Sequence, residues 1–375
     1  MGRKTDMFKF LPSEIMSDIL LRIPDRSIAS FKCVCRSLRD FVETHEFVNS
    51  HISRSAAALA VVKGNPISSR CSLFKIEDEI NIENSRSHDH RYNHLIEFGF
   101  PSTVTIESSV NGLLLLCKSN GLCVCNPRSR QYIDLQCPRG FFNKKVVLSK
   151  VIYGFGVSKI SGQYKVFRIV ESENHCRLYT LGTGAGKGSW RRVGVASATF
   201  GYGYCHPAAF LNGKLHWLVL DSSRTPWISC LDLETECFST LSLPPDLIGR
   251  RVDNVFAFRD CLCLCDHTFA QHGTVDIWLM KEYGVEKSWT KEYVIKSPKF
   301  DRSNSRARPI KVFKDDDILM QWGHERLFYY SNKMNKTIQN GILDDDDQHW
   351  FISSVLLTPS FLALRTFGKE NVISL

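Results

Sequence analysis

One unit recurs along most of this chain: a turn, an apolar strand, a gap, then a second strand that runs through a polar turn into a third. It appears as Asn111-Gly112 before LLLLC and LCVCNPRSRQYIDL, and as Asn212-Gly213 before KLHWLVL and WISCLDLETECFSTL. It returns as Arg259-Asp260 before CLCLC and VDIWLMKEYGVEKSWTKEYVI, and as Asp315-Asp316-Asp317 before ILMQW and RLFYYSNKMNKTIQNGI. Between the first two, YKVFRIV, CRLYTL and SWRRV make a fifth unit. First strands begin near residues 113, 164, 215, 262 and 318, a period of about 45 to 55 residues. Such a period with three or four strands per unit predicts propeller blades. A lone blade cannot bury both faces, whereas a ring of blades buries them all and protects the edges. A sixth blade is expected from residues near 56–107 combined with the C-terminal stretches FISSVLL and SFLALRT, so that the two chain ends close the ring. Asn212-Gly213 is a strong two-residue hairpin signal. Two β-sandwiches are the alternative, but they leave the regular spacing unexplained.

Ahead of the repeat, Phe10 to Ile52 has helical periodicity. Pro12 and Pro24 bracket a first run, because proline suits a helix start and disfavours the helical conformation in the residue before it. Ser13 is a candidate cap. Ile15, Met16, Ile19, Leu20 and Ile23 form one stripe. A second run starts near Asp25 or Ser27, both candidate caps, and carries Ile28, Phe31, Val34, Cys35, Leu38 and Phe41. A third turn, His45 to Ile52, carries Phe47, Val48 and Ile52. Three short helices bury little surface on their own, and their apolar residues cover more of the circumference than one small core needs. Pattern alone supports equally a partner surface and a helical cap on the following domain.

The residue order distinguishes the two. Leu11-Pro12, Glu14-Ile15, Ile19-Leu20, Ile23-Pro24, Ser27-Ile28, Phe31-Lys32-Cys33-Val34-Cys35-Arg36-Ser37 and Phe47 resemble the F-box in its plant form. Ile23 and Ile28 stand where that family usually has Leu, and Leu38 where it usually has Trp, which reduces contact area there. The resemblance implies docking to a Skp-type adaptor and, through it, to a cullin–RING ubiquitin ligase core. It assigns adaptor binding to Leu11, Pro12, Ile15, Ile19, Leu20, Ile23, Pro24, Ile28, Phe31, Val34, Cys35 and Leu38, divided between the helical core and the partner.

The repeat region carries a second resemblance. Asn111-Gly112-Leu113-Leu114, Cys125-Asn126-Pro127, Tyr153-Gly154-Phe155-Gly156, Tyr164-Lys165-Val166, Gly213-Lys214-Leu215-His216-Trp217 and Ile277 to Gly284 followed by Ser288-Trp289 look like the plant F-box-associated, kelch-like domain. That resemblance implies a domain that recruits a protein for ubiquitination. The expected layout is a small all-α F-box over residues 5–52, a linker with first strand elements over 53–94, and an all-β propeller of about six blades over 95–375, with strands from 56–94 available to close it.

The composition suits a folded, soluble protein: 43% hydrophobic and 23% charged residues. Net charge is +9, from 48 basic and 39 acidic residues. The basic residues are scattered in pairs, and the densest run, Arg302 to Arg308, reads as a solvated loop; no nucleic-acid motif accompanies it. Cys33/Cys35, Cys123/Cys125 and Cys261/Cys263/Cys265 are Cys-x-Cys pairs, which place both thiols on one face of a strand. Alternation with Leu and Val predicts buried free thiols acting as small hydrophobes, in a reducing compartment. MGRKTDMF lacks a signal core, Asp6 stands where a myristoylation motif needs Ser or Thr, and NVISL is no prenylation box. No apolar run approaches the roughly 18 residues a membrane span needs. These features place the chain in the cytoplasm or nucleus, with no membrane partner, where the sequon at Asn335 is never glycosylated.

Enzyme signatures are absent. Gly182 to Ser189 departs from a phosphate-binding loop: three residues separate Gly182 from Gly186, Gly188 replaces the magnesium-binding hydroxyl, and Ser189-Trp190-Arg191 starts a strand. The loop Asn81 to His94 carries His88, His90 and His94 without fixed carboxylates or thiols, which argues against a metal site. Asp344 to Asp347 lacks the spacing of a calcium loop and reads as a solvated turn. No cofactor is expected. Tyr202, Tyr204, His206 and Trp227 lie in or beside turns and are candidate target-binding anchors or blade-packing residues. The resulting expectation is a non-catalytic substrate receptor of an SCF-type ligase with an unidentified target; a propeller scaffold or enzyme uncoupled from ubiquitination is the alternative.

Overall fold

The computed structural model describes residues 11–77, 92–137, 151–171, 175–182, 186–194, 199–200, 207–221, 223, 225–250, 252–267, 274–296, 307–323, 326–339, 351–368 and 370–375. Four helices open the chain: α1 (Ser13–Leu21), α2 (Asp25–Phe31), α3 (Arg36–Val42) and α4 (His45–Arg54). Pro12 and Pro24 occupy the N-cap positions of α1 and α2. Ser13, Asp25 and Ser27 therefore lie inside their helices and do not cap them. The expected second helix breaks in two. Unbroken, residues 25–42 would span about 27 Å, too long for so small a core. Cys33 and Val34 instead close a tight turn onto the carbonyls of Ser30 and Phe31, and Cys35 is extended. α3 folds back against α2, burying Ile28, Leu38 and Val42 together.

The remaining chain forms a six-bladed propeller. Blade 1 contains β1 (Ala58–Gly64), β2 (Ser69–Ile76) and β3 (Tyr92–Phe100). Blade 2 contains β4 (Val104–Val110), β5 (Leu113–Lys118), β6 (Gly121–Asn126) and β7 (Gln131–Leu135). Blade 3 runs β8 (Val151–Val157), β9 (Tyr164–Val170), β10 (Cys176–Thr180) and β11 (Ser189–Val193). Blade 4 holds β12 (Thr199–Phe200), β13 (Ala209–Leu211), β14 (Lys214–Leu220), β15 (Pro226–Asp232) and β16 (Phe238–Leu241). Blade 5 holds β17 (Val252–Phe258), β18 (Cys261–Asp266), β19 (Thr274–Met280) and β20 (Trp289–Lys296). Blade 6 holds β21 (Ala307–Val312), β22 (Ile318–Trp322), β23 (Arg326–Ser331) and β24 (Lys336–Gln339). Then β25 (Phe351–Leu357) returns to blade 1 as its innermost strand, and β26 (Val372–Ser374) adds to the outer edge of blade 2.

The ring is thus closed by FISSVLL, from Ala58↔Leu357 to Gly64↔Phe351. SFLALRT is not a strand, apart from one 3₁₀ turn at Leu364–Thr366. It crosses the face of the ring instead, held where Ser360 Oγ donates to the Asn111 carbonyl (2.8 Å) and Asn126 Nδ2 to the Leu362 carbonyl (2.7 Å). His94 lies in β3 rather than in a loop, opposite Phe74; His88, His90 and Asp344 to Asp347 are outside the described residues.

Alternation along the strands sorts side chains into different layers between blades. Leu122 and Val124 face one buried cluster, Cys123 and Cys125 the next. Leu262 and Leu264 face one, Cys263 and Cys265 another. Burial pushes the Cys123 thiol up to about 12. Cys33 is exposed, and Cys35 and Cys261 are half-buried, because the first two sit at the helix break and the third at a strand end; the expectation of uniform burial fails there. Tight turns join β4 to β5, β13 to β14 and β17 to β18, in blades 2, 4 and 5. Asn111 and Gly112 (φ 49° and 79°), Asn212 and Gly213 (55° and 75°), and Arg259 and Asp260 (53° and 56°) all take the left-handed conformation that two-residue hairpins require. The six innermost strands all end on this face, and here the helices are seated.

Candidate functional site

The site has two sides, one turned toward the ring and one away from it. Toward the ring, Met16, Leu20, Ile28, Leu38, Val42, Phe47 and Val48 share one core with Leu113, Val124, Phe361 and Phe367 of the propeller and its C-terminal crossing. Phe361 is the anchor. The Arg128 guanidinium lies 3.9 Å over its ring, Lys32 Nζ lies 5.3 Å from the ring centre, and the His51 ring meets its edge at 4.8 Å. Lys32 Nζ also bonds to the Phe361 carbonyl (3.4 Å) and to Glu43 Oε1 (3.2 Å).

Ion pairs ring this anchor. Asp25 accepts from His51 Nε2 (2.9 Å) and Arg128 Nη1 (2.7 Å). The His51 hydrogen bond, joined by Arg128, outweighs burial and holds the Asp25 carboxyl down at about 2. Arg365 pairs with Glu43. Burial pulls the Lys32 ammonium below its usual range, opposed by Glu43. Helices and propeller are therefore joined by apolar burial, ring–cation contacts and three cross-boundary pairs, Asp25–Arg128, Glu43–Arg365 and Asp40–Arg365.

Away from the ring, Leu11 (41% exposed), Ile15 (50%), Ile19 (49%) and Val34 (63%) present large apolar side chains to solvent. Leu11, Ile15 and Ile19 are spaced by four residues, so they line one side of α1 and its approach. Pro12 and Pro24 are exposed beside them, and Ile23, Phe31 and Cys35 are half-buried. Leu20, Ile28 and Leu38 turn inward, 1–4% exposed. In the expected division between core and partner, these three fall on the side of the helical core.

The target-side candidates are placed less completely. Tyr202, Tyr204 and His206 fall outside the described residues. Trp227 lies in β15 opposite Val219 and is 38% exposed. Sequence reasoning missed Phe361, Arg128, Arg365 and Lys32. Their contacts span up to 329 residues, and no local periodicity reports such a pairing.

The Gly182–Ser189 segment is no phosphate loop. Gly182 and Gly188 N–H donate to Glu370 Oε1 (3.2 and 2.7 Å), as does the Tyr179 hydroxyl (2.8 Å), and Ser189 begins β11. The chain's own Glu370 carboxylate takes up the N–H groups of these two glycines.

Comparison with known proteins agrees with this geometry. The F-box domain matches residues 8–50, and the F-box associated beta propeller domain matches residues 61–354. The F-box protein CPR1 of Arabidopsis thaliana is 27% identical, covering 97% of this chain and 91% of that one. The Arabidopsis F-box protein At3g07870 is 28% identical, covering 87% and 86%. The Arabidopsis F-box/kelch-repeat protein At3g23880 is 25% identical, covering 75% and 78%. The chain belongs to the plant F-box proteins that carry an F-box associated β-propeller.

Proposed function

We propose that this protein is the substrate-recognition subunit of an SCF-type ubiquitin ligase, working in the cytoplasm or nucleus. The observation that carries the reading is the row of solvent-exposed apolar residues, Leu11, Ile15 and Ile19 with Val34, on the side of an F-box that faces away from its own propeller. A monomer gains nothing by exposing them, and rigid apolar anchors of this kind dominate protein interfaces. The partner is a Skp-type adaptor, which links the chain to a cullin–RING core. The propeller holds a target protein and raises the effective concentration of its lysines at the transferred ubiquitin. The chain does no bond chemistry itself.

Leu11→Ala with Pro12→Ala tests this. Both residues precede α1 and are exposed, so the helical core does not depend on them. Losing two interface anchors of about 2 kcal/mol each weakens adaptor binding by roughly a hundredfold or more. Target binding survives while target ubiquitination falls. Wild-type recovery of adaptor and cullin by the double variant, with an unchanged circular dichroism spectrum, would refute the assignment.

A further inference from the structure

A cavity of about 320 Å³ lies on the axis of the ring, bounded by residues of β4, β13, β17, β21 and β25, five of the six innermost strands. Its size falls at the lower end of ordinary small-molecule pockets, about 300–1,000 Å³. Its lining includes four charged residues, the half-buried Glu107 and Arg308 and the exposed Arg259 and Asp260 at the turn after β17, together with the Asn254 carboxamide.

Bulges in the strands place or flank these groups. In β4 the register shifts between Ile106 and Ser108, leaving Glu107 as the extra residue. In β17 it shifts between Val252 and Val255, around Asn254. In β21 it shifts between Pro309 and Lys311, just after Arg308. Bulges re-aim side chains and concentrate beside functional sites.

Neither charge is fully satisfied. Glu107 Oε1 accepts from Thr105 Oγ1 (2.8 Å), and among the described residues its second oxygen has no hydrogen-bond partner. Burial pushes this carboxyl up to about 7, and Thr105 and Arg308 offset only part of the effect. Arg308 uses Nη2 alone, on Gln321 Oε1 (2.9 Å) and on the Ser354 carbonyl. Among the described residues its Nε and Nη1 make no hydrogen bond or ion pair. Burial draws it down to about 10, so it remains a cation at neutral pH.

We propose that this axial cavity binds a small zwitterion, a free α-amino acid or close analogue, whose ammonium meets the Glu107 carboxylate and whose carboxylate meets Arg308. Glu107 and Arg308 act on each other through space without a hydrogen bond or ion pair between them; such a ligand gives each a direct partner of opposite charge, and Asn254 adds a donor and an acceptor. The site is built from the ring alone and is independent of the adaptor face.

The test titrates the full chain with free L-amino acids by calorimetry and saturation-transfer NMR. At least one should bind saturably with a Kd below about 1 mM. Its N-acetyl and methyl-ester derivatives, which remove one charge each, should both bind at least about tenfold more weakly. Glu107→Gln, nearly isosteric, should cost about tenfold in affinity at an unchanged melting temperature. Should Arg308→Gln fail to fold, the ester derivative reports on the same contact. Absence of saturable binding by every amino acid, equal binding of either derivative, or wild-type affinity in folded Glu107→Gln overturns the proposal.

Discussion

Nε2 of His216 lies 2.8 Å from the Tyr283 hydroxyl, a bond from β14 of blade 4 to the turn after β19 of blade 5. Nδ1 of the same ring is 3.2 Å from the Ala209 carbonyl. A carbonyl only accepts, so Nδ1 carries the proton; Nε2 of the neutral ring then accepts from the tyrosine. His216 is fully buried, and burial, the largest influence, pulls its pKa down to about 4. Two of the segments that resemble the F-box-associated family, GKLHW and IWLMKEYG, meet at this bond.

The first prediction concerns pH. In the unfolded chain His216 takes up a proton near 6.5, and in the folded chain only near 4. The unfolded state binds more protons between those values, so this contribution is complete above about pH 6.5 and is lost as pH falls toward 4. Its magnitude is on the order of 3 kcal/mol. Denaturant melts at pH 7 and pH 4.5 should differ less in His216→Phe than in wild type. An identical pH dependence in the two proteins would remove His216 from the account.

Tyr283→Phe leaves the His216 acceptor buried without its donor. The cost should be about 1–3 kcal/mol, read as a shift of the urea midpoint at unchanged slope. A change smaller than a few tenths of that would mean the bond contributes nothing net.

The F-box should divide cleanly under mutation. Leu38→Ala empties a buried position and should destabilise the helical region by about 2–5 kcal/mol. Val34→Ala, at a 63% exposed site, should leave stability within about 0.5 kcal/mol while weakening adaptor capture. Comparable losses of stability in both variants would contradict the two-sided arrangement.

The blades were legible because their signal is local and repeated. Asn111-Gly112 and Asn212-Gly213 specify their turns through backbone conformation alone, and Leu122 to Cys125 alternate because each strand faces two interblade layers. Ring closure by Phe351–Leu357 followed from the need to bury a last exposed edge. Which F-box residues face inward did not follow. Leu20 and Ile19 are adjacent on one apolar stripe, and which of them is buried depends on how α1 packs on α4 and on the shared core that includes Phe361, more than 300 residues later. SFLALRT has the composition of a strand, yet Asn126 and the Asn111–Gly112 turn hold it across the face. Gly112 has no room for a side chain there, since a Cβ would lie 2.6 Å from the Thr358 carbonyl.

Phe361→Ala should loosen the helices from the ring without opening the ring. Removing a buried aromatic of this size costs about 3–5 kcal/mol, and the loss should fall on one boundary. Hydrogen exchange should accelerate in α3 and α4 while the amides of β18, β19 and β22 keep their protection. Uniform acceleration across all six blades would show that the residue supports the ring as a whole.

Thiol reactivity should follow burial. Cys33 and Cys237 are exposed, whereas Cys71, Cys123, Cys176 and Cys230 are buried, with thiols pushed up to about 12. Thiolate is the reactive species, so a disulfide reagent at pH 8 should titrate the first two within seconds and the buried four only on unfolding. Prompt labelling of Cys123 in the native protein would count against the interblade packing described above.

The seat of the F-box is made by residues synthesised more than 300 positions after its helices. Phe361 and Arg365 leave the ribosome more than 300 residues after these helices, and after the strand that closes blade 1. While the blades are being synthesised the helices exist without their support, and their inward apolar face must be shielded by other means. A message truncated before residue 351 would yield a chain with an F-box and an open ring. On the function proposed above, such a product occupies the adaptor while holding no target, so early termination produces a competitor of the intact protein.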